Sequence, residues 1–186
     1  DYRIILTNGP KEATTIAEKC LQEGYNKIVA VGGDGTVNEV ALGVLNHGEG
    51  ILGIVPSGTG NDLARTLNIP QEPEKAVDFL LSGKDKDIDI GIVNDQFFLN
   101  IASIGFDSEV AKTNERIKMK FKSGLSYIVS LFITLFKYDF IEAELEIDNF
   151  KTTCEILLIA VGNGKYYSGG VKILPMADIE DGYFNV

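Results

Sequence analysis

A glycine-rich turn carries the first chemistry in this sequence. Gly32-Gly33-Asp34-Gly35-Thr36 follows the apolar run Ile28 to Val31 and precedes a stretch with helical spacing. Glycines let the backbone turn with positive φ and let a ligand approach with no Cβ in the way. A helix starting there points unpaired N–H groups at the turn, and its dipole favours an anion. A phosphate suits that environment. The turn is not a P-loop, since no lysine stands at its end to reach a β- or γ-phosphate, and it lacks the G-x-G-x-x-G spacing. Thr36 and Glu39 are three apart, as in a capping box in which Glu39 closes back on Thr36. Capping does not explain the Asp between the glycines, so phosphate binding is expected of the loop as a whole. A second turn, Ser57-Gly58-Thr59-Gly60-Asn61-Asp62, repeats the layout after the apolar run Ile51 to Val55. Two such turns at the ends of neighbouring parallel strands line one crevice, where open α/β sheets bind ligands.

The elements that must hold these turns alternate. Arg3 to Leu6 reads as a short strand and Ala13 to Glu23 as a helix with Ile16, Ala17, Cys20 and Leu21 on one face. Ile28 to Val31 is an apolar strand and Val37 to Leu45 a helix. Ile51 to Val55 is a strand, and Asp62 to Leu67 and Pro73 to Leu81 are helices. Strand, helix, strand, helix predicts βαβ units and a parallel sheet with helices on both faces. The second half reads differently. Ile88, Ile90 and Ile92 alternate with polar residues, Asn94-Asp95 is a turn, and Phe97 to Ala102 is a strand. Ala143, Leu145 and Ile147 alternate with acids, and Asp148-Asn149 turns into Lys151 to Val161. These are hairpins of an antiparallel sheet. The boundary is expected near Val93, dividing the chain into 1–93 and 94–186.

Composition narrows the chemistry. Lys plus Arg is 17 and Asp plus Glu is 27, a net charge of −10 that opposes non-specific binding to nucleic acid. One His and two Cys nearly exclude zinc sites and His-based triads. Catalysis would run on carboxylates, hydroxyls, backbone amides and a borrowed metal. Cys20 and Cys154, far apart in apolar-patterned stretches, suit reduced thiols in the cytoplasm. The longest near-apolar run, Leu125 to Phe136, is shorter than the roughly 20 residues a bilayer needs. The ends, at Asp1 and at the strand-like Tyr183-Phe184-Asn185-Val186, read as those of a piece of a longer protein.

Gly-Gly-Asp-Gly-Thr-x-Asn-Glu-Val at 32–40 and Ser-Gly-Thr-x-Asn-Asp-x-Ala-Arg at 57–65 closely resemble the catalytic domain of diacylglycerol kinases and related bacterial lipid kinases. Sphingosine and ceramide kinases share it. The likeness runs on through 87–91, 100–107, 169–175 and Asp181-Gly182, nearly the whole chain. The first motif alone is shared with NAD kinases and phosphofructokinase-like folds; the second makes the match specific. The fold implied is α/β: a three-layer nucleotide-binding domain with a parallel sheet, then a β-rich antiparallel domain.

The resemblance also implies roles. Gly32, Gly33, Asp34, Gly35, Thr36 and Glu39 match a loop that binds ATP, Ser57, Gly58, Thr59 and Asn61 a second phosphate-side loop, and Thr7 a further nucleotide contact. Asp34, Asp62 and Asp89 match a carboxylate set around a catalytic Mg²⁺ and its waters. Three acids facing a triphosphate repel it unless a cation lies between, and Mg²⁺ binds through one or two carboxylates plus phosphates. Asp181, with the carbonyls of Asp178 and Tyr183, matches a second, structural Mg²⁺ site. Two departures stand out. No Asn-Pro-x-Ser/Ala-Gly loop opens the chain. The family's general base belongs to a motif beyond Val186, so this polypeptide is expected to bind nucleotide and to phosphorylate poorly.

The implied acceptor is diacylglycerol or a similar lipid alcohol, with phosphatidate as the product. Leu125 to Phe136, apolar almost all round, reads as a helix buried between domains or as a wall of the lipid cleft. Lys112, Arg116, Lys118, Lys120 and Lys122 form a basic cluster that suits either a solvated helix face or transient contact with an anionic membrane surface. The expected location is the cytoplasm, peripheral to the inner face of the membrane. A homodimer stays open. The alternatives are a kinase of a soluble substrate such as NAD, and a non-catalytic nucleotide- or lipid-binding module.

Overall fold

The computed structural model describes residues 2–118 and 126–186. In chain order the elements are α1 (Glu12–Gln22), β1 (Lys27–Gly32), α2 (Asp34–His47), β2 (Ile51–Pro56), α3 (Asp62–Thr66), α4 (Pro73–Ser82), β3 (Gly91–Val93), β4 (Gln96–Phe98), β5 (Ile101–Gly105), α5 (Phe106–Lys118), α6 (Ser126–Leu135), β6 (Ile141–Ile147), β7 (Phe150–Ile156), β8 (Leu158–Gly162), β9 (Tyr166–Tyr167) and β10 (Val171–Lys172). They form two compact units, Asp1–Ile101 with Gly162–Asn185, and Ala102–Val161 with Val186.

In the first unit β1 and β2 run parallel, in register from Lys27 opposite Ile51 to Gly32 opposite Pro56. Helices cover this pair because their apolar residues recur on one face. On α1 the buried positions are Ala13, Ala17, Cys20 and Leu21. Burying Leu21 contributes about 1.5–3 kcal/mol. Ala30, Ile54 and Val55 from the strands meet Val37, Val40 and Ala41 of α2, Leu63 and Ala64 of α3, and Ala76 of α4. β3 and β4 form a hairpin around Asn94 and Asp95, both at positive φ (48° and 61°), the geometry whose twist suits a two-residue loop. The late segment 162–185 is bonded into the same unit. Asn163, fully buried, donates its side-chain amide to the carbonyls of Asp89 (2.6 Å) and Leu99 (3.0 Å).

The second unit holds the antiparallel hairpin of β6 and β7, the pair of β5 and β8, and α5 packed on α6. Phe106 meets Tyr138 edge-on at 5.4 Å.

Several expectations need correction. Arg3 to Leu6 is not a strand: it finds no partner strand among the described residues, and Ile4 and Leu6 are exposed. α2 begins at Asp34, not Val37, because the last residues of the glycine turn already form its first helical turn. The strand expected from Ile88 is confined to Gly91–Val93. Phe97 to Ala102 divides at Leu99-Asn100, where the Asn100 carbonyl accepts the N–H groups of Asn163 and Gly164. Lys151 to Val161 divides at Leu157, whose carbonyl accepts the Phe106 N–H. Leu125, Lys120 and Lys122 lie outside the described residues. No helix among the described residues is long and apolar enough to cross a membrane.

Candidate active site

The two glycine turns meet backbone to backbone. The Ser57 N–H donates to the Gly32 carbonyl at 2.9 Å, extending the β1–β2 pairing into the loops. Gly58 lies so close to Gly33 that a Cβ on Gly58 would collide with the Gly33 Cα. That close approach explains why glycine faces glycine here. Asn61 then closes the second turn on itself. Its Oδ1 accepts the Gly58 N–H (2.9 Å), and its Nδ2 donates to the Gly58 carbonyl (3.0 Å). Asn61 is buried and left-handed (φ 56°), a conformation Asn tolerates better than most residues.

Asp34 joins the turns electrostatically. Its Oδ1 accepts the N–H groups of Asp62 (2.8 Å) and Leu63 (3.3 Å), filling the N-terminus of α3. Its Oδ2 makes no hydrogen bond among the described residues and sits where a Cβ on Gly60 would come within 2.8 Å. A carboxylate at a helix N-terminus is favoured by the unpaired N–H groups and the dipole. Asp62 lies beside it, and the same Gly60 Cβ would be 3.4 Å from Asp62 Oδ2. Both Asp62 oxygens accept backbone N–H groups, Oδ2 from Gly169 (2.9 Å) and Oδ1 from Gly170 (2.7 Å).

Asp89 is turned to the 178–183 loop, where its Oδ2 accepts the Gly182 N–H at 2.6 Å. Asp178 and Asp181 each close a turn of that loop by accepting the N–H two residues on, from Glu180 and Tyr183. Among the described residues, no group of three or more His, Cys, Asp or Glu side chains gathers as a metal site. Ser57 and Thr59 are exposed on the second turn, and Gly35 and Thr36 lie in the first turn of α2. Thr7 is exposed just before Asn8, whose backbone and side-chain N–H groups are held by the Glu12 carboxylate. The expected capping box does not form. Glu39 instead accepts the N–H groups of Lys11 (2.9 Å) and Ala13 (3.3 Å), supplying the N-terminus of α1 rather than that of its own helix. The reason is the earlier start of α2, which moves Thr36 and Glu39 past the cap position.

A crevice of about 360 Å³ opens beside Asp34 and Asp62, with Asn38, Phe97, Asn100 and Tyr167 among its walls. None of these four was singled out as a site residue from sequence. The available signal was helical: once α2 starts at Asp34, Asn38 is four residues on and shares its face. Asn100 is already committed, accepting from Thr66 Oγ1 and donating to the Tyr166 carbonyl. Asn38 is exposed and makes no side-chain hydrogen bond among the described residues.

Residues 1–93 match the family described as the diacylglycerol kinase catalytic domain. The chain belongs to that family. Residues 100–186 match the YegS C-terminal NAD kinase beta sandwich-like domain. A Pseudomonas aeruginosa protein named "Probable lipid kinase YegS-like" is 38% identical over 177 residues, covering 94% of this chain and 58% of that protein. A Staphylococcus carnosus "Diacylglycerol kinase" is 34% identical, with the same coverage of 94% and 58%. A crystal structure of a diacylglycerol kinase from Bacillus anthracis strain Sterne superposes with a TM-score of 0.77 at 28% identity, covering 99% of this chain and 61% of that one. The chain thus spans less than two thirds of the length of these relatives. As a member of the diacylglycerol kinase catalytic domain family, it has the α/β fold expected of its motifs, with a β-rich second part.

Proposed function

We propose that this chain supplies the nucleotide-binding and acceptor-facing parts of an ATP-dependent lipid kinase. The reaction transfers the γ-phosphoryl group of ATP to the hydroxyl of diacylglycerol or a similar lipid alcohol; with diacylglycerol the product is phosphatidate. The observation that carries this reading is the packing of the two glycine turns at the ends of β1 and β2, with Asp34 and an acceptor-sized crevice beside them. Backbone N–H groups at the start of α2 would cradle phosphate oxygens, and the glycines leave room for them. Thr7, Thr36, Thr59 and Ser57 would add hydroxyl contacts. Transfer then rests on positioning and electrostatics.

Asp34 fits a Mg²⁺ ion best of the three expected carboxylates, because its Oδ2 carries no hydrogen bond among the described residues. Mg²⁺ would offset charge developing on the transferred group. Asp62 and Asp89 already hold backbone N–H groups. A second, structural Mg²⁺ at Asp178, Asp181 and Tyr183 belongs to the same proposal; Asp181 retains its other oxygen for it.

Among the described residues, the charged side chains lining the crevice are the carboxylates of Asp34 and Asp62. An acceptor that itself carries a phosphate would be repelled there, which favours a neutral alcohol over a soluble phosphorylated substrate. Lys112 and Arg116, exposed one turn apart on α5, support peripheral attachment to an anionic membrane surface from the cytoplasm. The test is phosphate transfer from radiolabelled ATP with Mg²⁺ to a panel of lipid alcohols in mixed micelles, using the full-length protein. Labelled phosphatidate from diacylglycerol is expected. ATP binding without transfer to any lipid would overturn the lipid kinase reading.

A further inference from the structure

We propose that Asp62 is a positioning residue. Its carboxylate latches the β9–β10 ribbon onto α3 and so sets the Tyr167 wall of the crevice. The turn of that ribbon, 168–170, runs through positive φ at three successive residues: Ser168 (52°), Gly169 (86°) and Gly170 (105°). This conformation aims consecutive N–H groups at one point and forms a concave anion seat. Asp62 fills it with both oxygens, at 2.9 and 2.7 Å, from 107 and 108 residues away in sequence. The seat is buried: Asp62 is 7% exposed, and Arg65 Nε stands in ordinary contact distance, 3.5 Å, from where a Cβ on Gly170 would lie. That nitrogen is itself committed to the Gly60 carbonyl at 3.1 Å. Register fixes what the latch controls: Tyr167 pairs with Val171 directly across the turn, and Tyr167 lines the crevice.

A carboxylate whose two oxygens both accept backbone N–H groups is engaged in holding chain to chain, whereas the neighbouring Asp34 keeps its Oδ2 without a hydrogen bond among the described residues. Asp62→Asn keeps the shape but replaces one acceptor with an NH₂ group, which faces a glycine N–H, donor against donor. Gly170→Ala strains the same turn from the other side without touching a carboxylate.

The link to acceptor binding rests on the kinase reading above; the latch itself does not. Both variants would be made in the full-length protein and followed in two ways. By hydrogen exchange, the 166–172 amides should open at least about tenfold more often in each variant, the loss expected for one charge-assisted hydrogen bond. In mixed micelles, the KM for the lipid acceptor should rise about tenfold while the half-saturating Mg²⁺ concentration and the KM for ATP stay within about twofold. Unchanged exchange in both variants would overturn the latch. So would a shifted Mg²⁺ requirement for Asp62→Asn with the ribbon still protected, which would make Asp62 a metal ligand. Were Asp62→Asn not to fold, Gly170→Ala decides alone. If the wild-type protein transfers phosphate to no acceptor, the kinase reading fails and the exchange data still decide the latch.

Discussion

Asp34 holds the N-terminus of α3 with one oxygen and leaves the other beside Gly60, and the two duties separate under mutation. Asp34→Asn keeps an oxygen for the Asp62 and Leu63 N–H groups, so the fold should survive with a Tm close to the wild-type value. The lost charge should cut turnover at least about 10²-fold, the scale on which a preorganised electrostatic group acts. Radiolabel transfer and a thermal melt on the same sample check both halves; unchanged turnover would remove Asp34 from the chemistry. Glu12 gives a pH signature. Its pKa is lowered from the usual 4.5, first by the hydrogen bond from the Asn8 backbone and then by the Asn8 side chain. A depressed carboxylate stabilises the fold above its unfolded pKa, and that contribution is lost as pH falls through the folded value. The Asn8 amide should therefore lose protection in the wild type as pH falls below the ordinary glutamate range. In Glu12→Gln this pH dependence should be absent.

At the scale of elements, Glu39 joins α2 to α1 through the N–H groups of Lys11 and Ala13. Glu39→Ala should cost about 1–2 kcal/mol in denaturant unfolding, as the loss of a helix N-terminal acceptor does. Gly58→Ala tests the contact of the two turns, since its Cβ has nowhere to go but into the Gly33 backbone. A cost of about 1–3 kcal/mol is expected, together with weaker ATP binding by titration calorimetry. Local patterns made much of this level legible. The four helices expected in the first 83 residues, α1 to α4, and the Asn94-Asp95 turn emerge from spacing and turn chemistry, with ends shifted by a few residues. What local spacing misses is whatever needs a distant partner. Arg3 to Leu6 has strand composition yet no neighbour to pair with. Glu39 has capping-box spacing yet serves another helix.

For the whole molecule, the same limit explains what the sequence hid. Asp34 and Asp62 were recognisable from their motifs, but the walls of the crevice come from 97–101 and from Tyr167, brought to α2 by bonds spanning long separations. Asn163 reaches Asp89 across 74 residues. Nothing periodic encodes such a bond. Asn163→Ala should leave two carbonyls unpaired and cost about 1–3 kcal/mol, measurable by equilibrium unfolding. The discontinuity of the first unit also bears on synthesis. A ribosome delivers Ala102–Val161 as one uninterrupted stretch, while the unit begun earlier waits for Gly162–Asn185 to emerge. At about 5–20 residues per second, translating the intervening stretch of about 60 residues takes roughly 3–12 s. Through that interval the glycine turns stand without the late strands that close over them. The nascent chain thus holds nearly all of its second unit before the closing segment of its first has been made.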